Sequence, residues 1–416
     1  IPKFRKKSKT ERSFIHSSSL MKDLTLANQT PHRRYSRYFY TNKKSFEQSL
    51  DIYEPDASIA ESKNSNDDNL NTKPLIVLVV GSGWMGHRSI IYAGTSWWNS
   101  SAPKTFAKLG YTCVTIRHRG TFPQVPSISV MLPLLAVLVA FLLGVLKYDQ
   151  AEVLQIASII SVTYIALVMG GYGAANFEDM MEDVADALVW INNNVATTET
   201  SSSNNEEEKK EKEGSERLFI FGGYSSGGHV AASLLQQADI FTSKGLPPPE
   251  TLIDGIIFLS GVLAVRPKTN KIGKSNKTLV DGKETNATAQ ISNQPQPSRW
   301  FADFLTLVAF GRENGPTTPS PLDGIPPKIP HLLLGCSKEV FGLPLMDLLF
   351  CSKEFTKLVE SKYDGSIPAR CVEMDSLNHW NILASSKFSS VLGHELKWIT
   401  SAASSQRQQR KEVKKD

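Results

Sequence analysis

Short apolar runs and longer amphipathic ones alternate along this chain. Ser49-Leu50-Asp51-Ile52-Tyr53 switches polarity at every residue, as a half-buried strand does. Leu75 to Val80, Thr112 to Arg117, Arg217 to Phe221, Leu252 to Leu259, Ile329 to Leu334 and Arg370 to Glu373 also read as strands. Helical spacing appears at 102–109, Phe177 to Asn194, Gly228 to Leu235, Trp300 to Phe310 and Ser389 to Trp398. Strands separated by helices predict an α/β fold, with a mostly parallel central sheet flanked by helices on both faces.

Two stretches depart from that pattern. No charged residue occurs from Ser127 to Leu146, nor again from Val153 to Ala175. Each is long enough to cross a hydrocarbon core, which needs about 20 apolar residues. Only Lys147, Asp149 and Glu152 lie between them, so the expectation is an inserted transmembrane helical hairpin over 127–175. A hairpin keeps both halves of the domain on one side of the bilayer. Arg117 and Arg119 at its entry, against a net acidic tip, place that side in the cytosol by the positive-inside rule.

Composition adds an organisation to this picture. Of 416 residues, 41% are hydrophobic, enough for a large core, and the formal charge is only +5. The basic residues gather in a Ser-rich, Tyr- and Phe-punctuated arm at 1–47, expected to be flexible, with anionic lipid as its alternative contact. No nucleic-acid partner is expected. The main domain spans 48–400, interrupted by the hairpin, by a charged low-complexity insert at 197–216 and by a polar loop at 266–297 expected to be mobile. A charged tail occupies 401–416. The four cysteines are scattered without a CxxC pair, so neither a metal site nor a cofactor is expected, and buried thiols are the default. Sequons at Asn28, Asn99, Asn276 and Asn286 sit in Ser/Thr/Asn-rich segments where such triplets are common.

The chemistry concentrates at Gly223-Tyr224-Ser225-Ser226-Gly227. An apolar strand precedes it and a small-residue helix follows, which is the setting of a nucleophile elbow in an α/β-hydrolase fold. Glycine two residues to either side singles out Ser225; Ser226 has Tyr224 at the corresponding place. A serine hydroxyl needs a base, and the base needs an orienting acid. In this fold both follow the serine, in the order acid then histidine, at the ends of later strands. Of the eight histidines, His229, His331, His379 and His394 come after Ser225. His229 rides the elbow helix, His331 opens its strand and His394 lies within the terminal helix, which leaves His379 beyond the last strand. Glu339 is the first carboxylate after Leu334-Gly335 and the favoured acid, with Asp347 as the alternative. Ser82 and Gly83, on the small-residue turn after the Leu75 strand, together with the Ser226 amide, are the candidate oxyanion donors.

Leu50-Asp51-Ile52-Tyr53-Glu54-Pro55, Val79-Val80-Gly81-Ser82-Gly83-Trp84-Met85-Gly86 and Gly223-Tyr224-Ser225-Ser226-Gly227-Gly228-His229 occur in a familiar order. So do Ser320-Pro321-Leu322, Ser352-Lys353-Glu354-Phe355 and Asn378-His379-Trp380. Together they resemble the esterase branch of the α/β-hydrolases that includes feruloyl-esterase-like proteins, isoprenylcysteine methylesterases and kynurenine formamidases. The resemblance covers roughly 48–400. It differs at Val80, where the family carries histidine before its glycines, and at Glu339, where it carries an aspartate one residue earlier. It implies a serine hydrolase of carboxylic esters; the hairpin, which is not part of the family's usual core, adds the expectation of a membrane anchor and of a small-molecule or lipid-like ester substrate such as a prenylcysteine methyl ester or acyl lipid. An endomembrane such as the endoplasmic reticulum is the expected location. A small-amide hydrolase of the formamidase type is one alternative, and a catalytically inactive binding module in the membrane is another. A small channel built from 127–175 would need more pore-lining polar residues than either segment carries.

Overall fold

A computed structural model describes residues 35–42, 45–55, 73–84, 101–121, 175–196, 217–265, 306, 309–310, 318–337, 339, 349–375, 377–379 and 382–413. Its frame is one eight-stranded sheet. In chain order the strands are β1 (Tyr35–Phe39), β2 (Ser49–Tyr53), β3 (Leu75–Val79), β4 (Thr112–Ile116), β5 (Phe219–Tyr224), β6 (Gly255–Leu259), β7 (His331–Cys336) and β8 (Ala369–Met374). Across the sheet they run β1-β2-β4-β3-β5-β6-β7-β8. The pairs β1·β2 and β2·β4 are antiparallel and the rest are parallel.

The central parallel strands β3, β5 and β6 carry no charged residue because both of their faces are covered, whereas the edge strand β8 keeps Arg370 and Glu373. Leu75, Val77 and Val79 of β3, with Phe219 and Phe221 of β5, enter one core. That core is closed by helices α1 (Phe177–Ile191), α2 (Ser226–Leu235) and α3 (Ser352–Lys362). Ile76, Leu78 and Ile220 point the other way, toward Ala102 and Phe106 of the helical stretch 101–108 and toward α4 (Ser386–Val413). Helix α1 starts at a reciprocal cap: Asn176 Oδ1 accepts from the Asp179 amide and Asp179 Oδ2 from the Asn176 amide, both at 2.8 Å.

The ends of the chain differ from the sequence expectation. Residues 35–39, assigned to the flexible arm, form the edge strand β1. Arg37 lies directly across from Asp51, and its Nε donates to the Asp51 carboxylate at 2.8 Å. The charged tail beyond 400 continues α4 to Val413. Arg407 is the reason: its guanidinium donates to both oxygens of buried Asp254, at 2.8 and 2.5 Å. Local composition reads as solvated at both ends, and tertiary ion pairs override it.

The expected hairpin at 127–175 lies outside the described residues except for Ala175. So do the insert at 197–216 and the loop at 266–297. Among the described residues no helix is long and apolar enough to cross a membrane. Arg117 and Arg119, the positive flank of that hairpin, are engaged within the fold. Arg117 bonds to Asp51, and Arg119 Nε donates to Asp183 at 2.9 Å. Gln48 Nε2 completes the Asp183 site at 2.8 Å.

His331 opens β7 fully buried, near Phe355, and burial holds its imidazole down at a pKa of about 4, against 6.5 when free. Between those values the unfolded chain binds the extra proton, so stability rises with pH across that window. Acidification from pH 6.5 to 4 is expected to remove about 3 kcal/mol through this group. In urea titrations His331→Leu should flatten the fall of the midpoint over that window; an unchanged fall would contradict the assignment. Arg407→Ala takes the guanidinium from the buried Asp254 carboxylate, leaving the Phe219 amide donating to Oδ2 at 2.8 Å, and equilibrium unfolding should show a loss of about 2–3 kcal/mol.

Candidate active site

The site forms where the parallel strands end at their carboxyl edge. Strand β5 finishes at Tyr224, α2 begins at Ser226, and Ser225 makes the turn between them with φ 55° and ψ −128°. Such a backbone costs about 1–3 kcal/mol and persists only where its surroundings enforce it. Here the enforcement is steric. A Cβ at Gly227 would lie 2.3 Å from the Val79 carbonyl oxygen on β3, so only glycine lets α2 start this close to the sheet. Hydrogen bonds fix the rest: the Ser225 amide donates to Leu259 O at 3.2 Å, and Ser225 O accepts from Gly228 and Val262 at 3.0 Å.

The structure brings Ser225, His379 and Glu339 together. His379 Nε2 stands 2.8 Å from Ser225 Oγ, and Nδ1 stands 3.4 Å from Glu339 Oε2. A carboxylate only accepts, so Nδ1 carries the imidazole proton and Nε2 is left to receive the serine proton. Glu339 lies three residues beyond β7, buried, and its Oε1 accepts from the Cys336 amide at 2.8 Å. The carboxylate is thereby aimed at His379. A main-chain bond, His379 N–H to Glu339 O at 2.7 Å, holds the two loops together. Asp347, the alternative acid, lies outside the described residues.

The turn after β3 also reaches this edge. A Cβ at Gly81 would fall 2.7 Å from the Ser225 Cβ, so the missing side chain lets the turn lie against the elbow. Gly83 and Trp84 both adopt left-handed φ, 61° and 63°. The Ser82 amide, expected among the oxyanion donors, instead donates to Ser226 Oγ at 2.9 Å and ties the turn to the elbow helix. Gly83 and Ser226, flanking that bond, carry the other two candidate amides. As the first residue of α2, Ser226 has an N–H with no carbonyl of its own helix to bond.

His229 plays the part that elimination left it, away from the serine. The Trp84 indole N–H can only donate, and it does so to His229 Nδ1 at 3.1 Å; His229 Nε2 then donates to Pro319 O at 2.8 Å. This link pins the left-handed Trp84 turn to α2, inside a ring cluster with Phe177 and Phe310.

Two aromatic residues to which the sequence pattern assigns no role also reach the site. Tyr224 stacks on His379 with ring centroids 5.0 Å apart and planes 16° apart, and Phe350 meets the same imidazole at 4.9 Å, tilted. The signal for Tyr224 was its place, between the last strand glycine and the nucleophile; nothing near Phe350 in sequence announces the contact. Burial, reinforced by the Glu339 charge, raises the Tyr224 phenol well above its usual range and pushes the Cys336 thiol up to about 12. Both therefore stay protonated beside Glu339 at neutral pH. Among the described residues no cluster of His, Cys, Asp and Glu is arranged to hold a metal ion.

No family model matches the sequence, and no curated protein matches it either. Among solved structures, esterase B from Lactobacillus Rhamnosis (HN001) aligns with a TM-score of 0.50 at 11% identity, over 97% of this chain and 96% of that one. A hyperthermophilic esterase from the archaeon Pyrobaculum calidifontis gives 0.47 at 13% identity, over 96% and 94%. A thermophilic carboxylesterase cloned from a metagenomic library gives 0.45 at 12%, over 95% and 98%. At such identities the first of these bears on fold alone. With the strand order and the elbow, it gives this chain the α/β-hydrolase fold.

Proposed function

We propose that this chain is a serine hydrolase of carboxylic esters that works through an acyl-enzyme. The observation that carries this reading is the 2.8 Å contact of Ser225 Oγ with a histidine whose other ring nitrogen faces a buried carboxylate. Ser225 Oγ attacks the ester carbonyl carbon while its proton passes to His379 Nε2. The resulting imidazolium is balanced by Glu339. Catalytic hydrogen bonds are often long before substrate binds, and the 3.4 Å separation at Nδ1 is expected to shorten as that charge develops. The amides of Ser226 and Gly83 receive the oxyanion. Collapse of the tetrahedral intermediate breaks the ester C–O bond, and the alcohol leaves with the proton held on Nε2. Water then attacks the acyl-enzyme, giving its proton to His379, and the carboxylic acid departs as Ser225 recovers its hydrogen. The esterase names of the structural neighbours agree with this chemistry.

The finer reading is a membrane-anchored enzyme with a lipid-like ester substrate. Its support is the apolar composition of Ser127 to Leu146 and Val153 to Ala175. The described chain ends at Thr121 before this segment and resumes at Ala175 after it. Both ends meet the oxyanion turn: the Thr121 amide donates to Trp84 O at 2.9 Å, and Phe177 packs on His229, which holds the Trp84 indole. An apolar segment rooted there would set the mouth of the site near the bilayer.

A fluorophosphonate probe should label the folded chain at Ser225, and short-chain p-nitrophenyl esters should turn over. Ser225→Ala is expected to abolish labelling and lower kcat by at least about a thousandfold, and Glu339→Gln by about a thousand- to ten-thousandfold with little change in KM. Folded wild type that neither labels nor turns over would identify a binding module in place of an enzyme. Full-length chain expressed in cells should stay with the membrane pellet through alkaline carbonate washing; its release into the supernatant would rule out the anchor.

A further inference from the structure

Tyr224 sits where the two halves of the site meet. Its hydroxyl donates to the main-chain carbonyl of His379 at 2.7 Å, so it grips the backbone of the residue whose ring it stacks upon. Strand β5 carries it immediately before Ser225, in register with Leu259 on β6. On its other side the ring approaches the oxyanion turn, for a Cβ at Gly81 would lie 3.0 Å from Tyr224 Cδ1. One side chain, rooted in the most central part of the sheet, thus spans from the oxyanion turn to the base.

The loop that bears His379 needs such a support. Strand β8 ends at Met374, and Asp375, Leu377, Asn378 and His379 lie in no helix or strand. A histidine on a loop is free to turn about χ1 and χ2 unless its ring and its backbone are both held. Here the backbone N–H is held by Glu339 O, the carbonyl by the Tyr224 hydroxyl, and a ring face by the Tyr224 ring. The phenol is a lasting donor, because burial and the Glu339 charge keep it protonated. An aromatic face against the imidazole also favours the charged ring that forms as Ser225 loses its proton, a contribution larger in the transition state than in the ground state.

We infer that Tyr224 is a positioning residue of this site, an aromatic clamp that fixes the rotamer of His379 through a stacked ring and a hydrogen bond to its carbonyl, and so keeps Nδ1 on the Glu339 carboxylate that sets the tautomer. The inference rests on the serine hydrolase reading, in which His379 is the general base.

A double-mutant cycle on p-nitrophenyl butyrate tests it, with Ser225→Ala as the control for active-site turnover. Tyr224→Phe keeps the ring and should lower kcat about three- to tenfold, the range of one neutral hydrogen bond. Tyr224→Leu loses both contacts and should lower kcat about a hundredfold with KM nearly unchanged, the cost of a misplaced catalytic group. In a His379→Ala background Tyr224→Leu should change the residual rate by less than about twofold, because the group it positions is gone. An equal loss in both backgrounds, or an unchanged kcat in the Leu variant, would overturn the inference. A second readout needs no turnover. With ¹⁵N-labelled histidine at pH 8, and His379→Gln for assignment, wild type and Tyr224→Phe should show one His379 tautomer protonated at Nδ1, and Tyr224→Leu an averaged pair. A Leu variant that keeps the single wild-type tautomer would equally overturn it. Wild type without esterase turnover would sink the hydrolase reading, and the tautomer measurement would still decide whether Tyr224 clamps His379.

Discussion

Everything at the catalytic edge depends on how closely the backbone of the elbow passes over β3. Gly227 lies against the Val79 carbonyl with no room for a β-carbon, and that approach forces Ser225 into its left-handed turn. Because β3 and β5 are parallel neighbours paired Val79 to Gly223, both chains leave the sheet at the same level. The turn at Gly81 to Trp84 and the start of α2 therefore emerge side by side, with the Ser82 amide tied to Ser226 Oγ. A parallel sheet puts the carboxyl ends of its strands on one edge, which is why a site assembles there and not at the other.

The same topology brings Glu339 and His379 to that edge. Strands β7 and β8 pair in parallel through Cys336 and Met374, so the loops that follow start next to each other. Glu339 turns back to the Cys336 amide and His379 crosses to Ser225, with a main-chain bond between them. Polar contacts hold the frame at a distance from this chemistry. Asp51 and Asp183, both buried, collect Arg37, Arg117 and Arg119 at the antiparallel edge, while Asp254 anchors the far end of α4 through Arg407. Each is a carboxylate that burial makes costly alone and tolerable when bonded, so each binds a distant stretch of chain into the fold.

Much of this was legible in the residues. The apolar runs of β3, β5, β6 and β7 could be read because a strand buried on both faces carries a continuous apolar signature, although β5, β6 and β7 each start two or three residues later than polarity suggests. Ser225 was legible because a strained turn demands small flanks. His379 and Glu339 were legible through the order of elements along the chain, since a fold whose strands end on one edge restricts where each partner can come from. Strand β1 and the extension of α4 were not, because Arg37 and Arg407 look solvated until the carboxylates facing them are known.

The sequence by itself determined the alternation of strands and helices and pointed to Ser225, His379 and Glu339 as the residues that meet, because these rest on local polarity, local backbone demands and chain order. Only the tertiary structure decided what Tyr224, Phe350, His229 and Ser226 Oγ do. Their partners lie on other strands and loops, His379 for the first two, Trp84 and Pro319 for His229, Ser82 for Ser226. A stacked ring or a crossing hydrogen bond leaves no periodicity along the chain. It exists only once the sheet has set the register that brings the two residues together.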